Sequence, residues 1–333
     1  MSAVSAGALI VIGLLLPPGE PEAESIQRGA RLAVEQANAA GASIRLAVRG
    51  RKGAWGSDAS EAARLVEDDG AVALIAPPDG AGTHLVLQIA GRTGVPIASL
   101  CPDRSVTGTA VPWMVRVAPS GAEEARALFE GSRVSRWLAV VPQGRAGREA
   151  ARDLASTAGS RSLAVVEEGQ GAPLEDQVRE GRVEGVLLWI APEPAARLAR
   201  ALRGSGYTGT LAGPSRLAAR SFRAAAGAAA DGVLVASLRP EPGSAGTAFA
   251  AQFQSLFGQE PDPSAVLAHD AALLLIRLVQ SFGTDGARRA FPLLRPVPGA
   301  SGPLVFDAHG NRLVSLAPVR LAAAHESARG GRS

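Results

Sequence analysis

The chain has 333 residues, 47% apolar but only 4% aromatic, with 34 basic against 31 acidic side chains and a net charge of +3. That length exceeds one ordinary domain and predicts two lobes of roughly 150 residues each, globular and neither disordered nor fibrous. The absence of a basic block argues against a nucleic-acid surface, and the single cysteine, Cys101, excludes an internal disulfide and a cysteine-based zinc cluster.

The first apolar run, residues 9–16, is too short to span a bilayer and predicts a strand covered on both faces. After the break at Pro17, Pro18 and Gly19, a helix is expected from near Glu22. Ile26, Ala30, Ala33 and Ala37 form its buried stripe, Arg28, Arg31, Glu35 and Gln36 lie on other faces, and Gly41 ends it. No Lys or Arg precedes Arg28, so residues 1–8 lack the cationic start of a secretory signal. The expectation is either a cytoplasmic chain or one trimmed from a longer product.

The same strand-loop-helix unit recurs without sequence repetition, which implies parallel sheets. Strands are expected over 44–48, 72–76 and 96–100, with helices over 58–67 and 83–92. A second set places strands over 137–141, 163–166, 185–190, 209–212 and 232–236. Its helices cover 145–156, 175–181, 192–203 and 217–225. Two further helices, 246–257 and 264–282, precede a hairpin over 302–320 whose turn is DAHGN, residues 307–311. Residues 325–333 are polar and Gly-rich and are expected to be disordered.

Enzyme signatures are missing. His84, His269, His309 and His325 are far apart, none at metal-ligand spacing, and GxSxG, Walker A and GxGxxG patterns do not occur. Cys101 would need His84 as a partner to act as a nucleophile, and an inert buried thiol is the plainer reading. His269 is read as structural, Trp137 and Trp189 as core, and Trp113 as packing before the first crossover. No cofactor or metal is expected.

The order of elements resembles the type I periplasmic solute-binding fold, in particular the branched-chain amino-acid-binding family of ABC transporter receptors. The pieces that carry it are IGLLLPPGEPEAESIQRGARLAVEQANAAG, EAARLVEDDGAVALIAP, GRTGVPIASLCPD, PWMVRVAPS, DAALLLIRL and GPLVFDAHGNRL, which span nearly the whole chain. The resemblance implies an α/β protein of two doubly wound parallel-sheet lobes. Residues 1–118 plus 240–303 would form one lobe and 119–239 plus 304–324 the other. Three hinge crossovers, near 117–119, 237–242 and within 302–318, would join them around a ligand. It further implies a non-enzymatic periplasmic receptor that closes on an amino acid or small carboxylate and presents it to a membrane permease.

Ligands of such sheets sit beyond the carboxyl ends of strands, where helix N-termini offer free N–H groups. In lobe one the loop PPDGAGTH supplies Asp79, Gly80, Ala81, Gly82 and Thr83, the last read equally as a helix cap or a ligand contact. The loop LCPDRSVTG and the residue before it supply Ser99, Leu100, Cys101 and Asp103, with Ser105 as a further polar group. In lobe two Gln143, Ile190, Ser215 and Arg216 hold the corresponding places. The family's acidic partner for an ammonium falls at uncharged Ser215, with Arg216 beside it as a bidentate anchor for a carboxylate or as a solvated helix-start residue. Glu22 and Trp55, the latter in RKGAWGSD, are rim candidates, Trp55 for stacking. Asp79 and Asp103 stand where relatives carry hydroxyls. The depleted hydroxyls and the single tyrosine, Tyr207, keep open a second reading, a protein-interaction module on the same fold like the penicillin-binding-protein activators.

Overall fold

A computed structural model describes residues 9–16, 22–50, 57–109, 111–169, 178, 180–238, 244–290 and 295–322. The chain divides into two compact units, Met1–Ser120 with Arg239–Ser315, and Gly121–Leu238 with Leu316–Ser333.

The first unit is built on a five-stranded parallel sheet in the order β2-β1-β3-β4-β5. The strands are β1 (Ile10–Leu16), β2 (Ile44–Gly50), β3 (Ala73–Ala76), β4 (Ile97–Ser99) and β5 (Met114–Arg116). Alternation assigns the faces. Val11 and Leu15 of β1 pack with Ala62 and Leu65 of α2 (Ser57–Glu67) and with Val86 and Ile89 of α3 (Gly80–Thr93). Ile12 and Leu14, equally buried, point the other way.

The helix α1 (Ala23–Ala39) follows the predicted stripe, burying Ile26, Ala30 and Ala33. It ends where Gly41 takes φ 91°. At Gly29 a Cβ would lie 2.0 Å from the carbonyl oxygen of Ala265. Only glycine lets α1 come that close to the long helix that begins at Pro263.

The second unit has a six-stranded sheet in the order β13-β10-β9-β8-β6-β7, parallel except for its β13 edge. Its strands are β6 (Arg136–Val141), β7 (Ser162–Glu167), β8 (Gly185–Leu188), β9 (Thr210–Gly213), β10 (Leu234–Ser237) and β13 (Ala317–Arg320). On one face Trp137, Ala139 and Val141 meet Ala125, Leu128 and Phe129 of α4 (Gly121–Glu130) and Leu154 of α5 (Gly144–Thr157). On the other, Leu138 and Val140 pack with Ala195, Ala199 and Leu202 of α6 (Pro192–Gly204) and Phe222 of α7 (Arg220–Ala226). Helices on both faces make each sheet doubly wound. The remaining helices, α8 (Ala245–Phe257) and α9 (Pro263–Ala290, broken at Gly283 with φ 69°), belong to the first unit.

Several expectations are corrected. Strand β5 and helix α4, which flank the crossover expected at 117–119, were not expected from sequence. The segment 217–225 is a 3-10 turn, Ser215–Ala218, followed by α7. The hairpin over 302–320 forms only beside its turn, where Phe306 bridges Arg312 antiparallel and the Leu313 amide donates to the carbonyl of Val305 at 2.8 Å. Its outer strands pair elsewhere, β12 (Gly302–Leu304) with β11 (Val297–Gly299) and β13 with β10. DAHGN does turn: the Asp307 carboxylate accepts the amides of His309 and Asn311 at 2.9 and 2.8 Å. Burial opposes ionisation of Asp307, but these N–H donors outweigh it and hold the carboxyl below its ordinary range.

Residues 304–315, assigned from sequence to the second lobe, sit in the first unit. Polar bonds hold them there: buried Arg312 donates to the hydroxyl of Ser301 at 2.7 Å and to the carbonyl of Val117 at 3.3 Å, and Asn311 accepts from Arg116 at 3.2 Å. The expected helix over 175–181 lies largely, and residues 239–242 and 325–333 entirely, outside the described residues.

Candidate functional site

In the first unit the loops after β3 and β4 come together. Asp79 is the N-cap of α3, with extended backbone (φ −110°, ψ 146°), and its Oδ1 accepts the Gly82 amide at 2.7 Å. A carboxylate of the chain itself therefore occupies the positive end of that helix. Thr83 is not the cap: it is already inside the helix, fully buried, and its hydroxyl donates to the carbonyl of Pro77 at 3.0 Å beside Ser99 Oγ at 3.3 Å. Ser99 in turn accepts the Cys101 amide at 3.1 Å. Both hydroxyls are thus used in joining the two loops.

Asp103 caps the next turn, its Oδ1 accepting the Ser105 amide at 2.8 Å. Its other oxygen lies 2.6 Å from where a Cβ on Gly80 would stand, so glycine at 80 is what lets the carboxylate approach. Ala81 is exposed, Leu100 buried.

Burial pushes the Cys101 thiol up to about 12, although the Asp103 amide, which donates to its sulfur at 3.3 Å, pulls the other way. A thiol held there stays protonated and is a poor nucleophile. His84 Nε2 pairs with Ser105 Oγ at 2.9 Å.

Glu22 precedes α1 without capping it, and its carboxylate accepts the Ser264 hydroxyl at 2.8 Å, tying α1 to the start of α9. His269 bridges the same helices through Gln36 at 2.8 Å, the structural role read from sequence. Trp55 lies outside the described residues. Trp137 and Trp189 are core, and Trp113 packs near β4, donating to the carbonyl of Ala90 at 3.2 Å.

In the second unit Gln143, exposed, precedes α5 and donates to the carbonyl of Glu168 at 3.0 Å. Ile190 is 1% exposed and packs in the core, so its side chain is not presented to solvent. Ser215 and Arg216 open the turn after β9. Arg216 donates through Nη2 to the carbonyl of Trp189 at 3.1 Å, and its buried Nε has no hydrogen-bond partner among the described residues.

Beneath this turn is a residue the sequence reading passed over, Glu124 of α4. It is 5% exposed, and its Oε1 accepts the Ser215 amide at 2.8 Å. Burial pushes its carboxyl up, only partly offset by the hydrogen bonds from Ser215 and the positive charge of Arg216. The signal was present in SGAEEARALF, residues 120–129. Glu123 and Glu124 fall in a helical first turn, and Ala125, Leu128 and Phe129 recur at helical spacing behind them. Among the described residues, no group of three or more His, Cys, Asp or Glu side chains is arranged to hold a metal.

Comparison with known proteins bears on the whole chain. A search of curated proteins returns no match. Among solved structures, the leucine binding protein LivK of Thermotoga maritima has a TM-score of 0.82 at 17% identity, over 94% of this chain and 95% of that one. LivJ of Streptococcus pneumoniae, a branched-chain amino acid transporter substrate-binding protein solved with isoleucine, gives 0.83 at 17%, over 95% and 97%. A solute-binding protein of an ABC transporter from R. palustris, solved with benzoate, gives 0.78 at 20%, over 95% and 96%. These likenesses establish a shared fold. The family model for periplasmic binding proteins matches residues 10–324, and on that match the chain belongs to the periplasmic binding protein family.

Proposed function

We propose that this protein is the extracytoplasmic solute receptor of an ABC transporter. It takes a small carboxylate, an amino acid or an aromatic acid, hands it to a membrane permease and performs no chemistry on it. One observation carries the ligand class. Arg216 sits just beyond β9, anchored by one nitrogen to Trp189 while its buried Nε has no hydrogen-bond partner among the described residues. A guanidinium held that way is a preformed donor for an anionic group. Family membership supports the receptor role, and the ligands in structures of the same fold, isoleucine and benzoate, are both carboxylates.

The remaining groups we assign to recognition are Asp79, Gly80, Ala81, Asp103, Gln143 and Ser215, with Trp55 as a stacking surface. A thermal-shift panel of L-leucine, L-isoleucine, benzoate and 3,4-dihydroxybenzoate tests the assignment. A true ligand at 100 times its Kd stabilises the native state by about 2.7 kcal/mol, and R216Q should abolish the shift. A flat response to every compound sinks it.

A specific observation favours a second reading. The hydroxyls of Thr83 and Ser99 and the N-terminus of α3 are already satisfied from within the chain. A protein-interaction module has no need of them for a solute, and a flat panel would favour that reading.

A further inference from the structure

Glu124 is a buried carboxylate in a unit whose core on that face is otherwise apolar. The elements packed on α4 besides the Ser215 turn are α5, β9, β10 and β13, with cores of alanine, leucine and aromatic side chains. A carboxylate placed among them loses its hydration. What it meets instead is the Ser215 amide at 2.8 Å, the Ser215 hydroxyl and the charge of Arg216.

The other charged groups near α4 do not help it. Glu123 on the same helix repels it, Asp153 of α5 lies against Gly121, and Arg320 of β13 is turned to the carbonyl of Gly232. Strands β9 and β10 carry no charge. Arg145 of α5 is paired with Glu149 at 2.7 Å, and Arg216 is the cation that favours the ionised form of Glu124, after the hydrogen bonds from Ser215. It is also the residue assigned above to the solute, so the inference rests on that assignment.

We infer that Glu124 makes solute capture proton-linked: the incoming carboxylate and the Glu124 carboxylate, held beside Arg216 by the Ser215 amide, draw on the same positive charge, and the receptor takes up a proton on Glu124 as it binds an anion at Arg216. The direction follows from charge. With Glu124 ionised, a bound anion shares Arg216 and faces a second negative group across it. With Glu124 protonated, Arg216 belongs to the ligand and the Ser215 amide still has its acceptor. Ligand binding must then raise the affinity of Glu124 for its proton, and by reciprocity a falling pH must tighten binding.

Calorimetry of the full chain with benzoate, in phosphate and in Tris at matched pH, reads the proton directly. The expected result is net uptake on binding, with Kd rising by up to about tenfold per pH unit across the titration of Glu124. E124Q, which keeps the acceptor for Ser215, should bind benzoate with no proton uptake and a flat pH profile. A second measurement needs no ligand. The 13C carboxyl titration of Glu124 should move to higher pH in R216Q, where the supporting charge is gone.

Binding by the wild type with no proton uptake, release of a proton, an unchanged pH profile in E124Q, or an unmoved Glu124 titration in R216Q each overturns the linkage. Failure of all four carboxylates to bind the wild type overturns the receptor assignment and the linkage together, whereas any of the former outcomes with binding intact overturns the linkage alone.

Discussion

Buried carboxylates serve opposite ends in the two units. In the first, Asp270 of α9 is fully buried and accepts the amides of Ala300 and Ser301 at 2.6 and 3.0 Å as well as the Ser301 hydroxyl, which also receives Arg312. Half-buried Asp79 caps a helix N-terminus. In the second unit Glu124, also buried, has Ser215 as its hydrogen-bond donor where Asp270 has two backbone amides and a hydroxyl, and burial disfavours its ionised form. The difference separates charge used to build a unit from charge kept at a cost to its stability.

The largest test of that separation is D270A. It strands two backbone amides, the Ser301 hydroxyl and the Arg312 network in a buried region, a change of the kind that costs about 3–5 kcal/mol. Urea unfolding should show this loss. A decrease below 1 kcal/mol would mean that the network is not holding β11, β12 and α9 together.

Next in size is G29A, a single added methyl at a point where the carbonyl of Ala265 leaves no room. Overpacking of that kind costs roughly 1–3 kcal/mol, because α1 and α9 must part to accept it. Leaving the charge untouched, it calibrates how much of the first unit's stability is packing. D79A should cost about 1 kcal/mol, the ordinary loss of a helix cap. If D79A instead stabilised the protein, Asp79 would belong with Glu124 rather than with Asp270.

Much of the scaffold could be read from residue order alone. The run at 10–16, the stripe of Ile26, Ala30 and Ala33 and the stop at Gly41 each carry their own local signal, and β1 and α1 form where that signal lies. Strand β5 and helix α4 were missed because they are short and lie on either side of the Pro-containing crossover expected at 117–119, where β5 has only three residues of apolar signal. The hairpin error has a similar origin. Residues 302–304 and 317–320 have the composition of paired strands, and their partners are decided by Arg312 reaching Ser301 and Val117, far apart in sequence. The loops of the candidate site were legible as loops. Their internal bonding was not: that Asp79 and not Thr83 caps α3, or that Glu124 lies under Ser215 from 91 residues away, depends on long-range packing.

The smallest expected effect discriminates best, because it has a sign that ordinary mutations lack. Burial raises the carboxyl of Glu124 in the folded protein above its value in the unfolded chain. Below the unfolded value the group is protonated in both states and costs nothing. As pH rises toward and through the folded value, the unfolded chain gains by ionising first, and stability is lost. E124Q is neutral at every pH and keeps the acceptor for the Ser215 amide, so it should melt with the wild type near pH 4 and above it near pH 7. D79A should melt below the wild type at pH 7, where its lost carboxylate is the cap. Thermal melts of both variants at the two pH values therefore cross the units against each other. A destabilised E124Q at pH 7 would place Glu124 among the structural carboxylates and remove the reason to look for a ligand that shares its guanidinium.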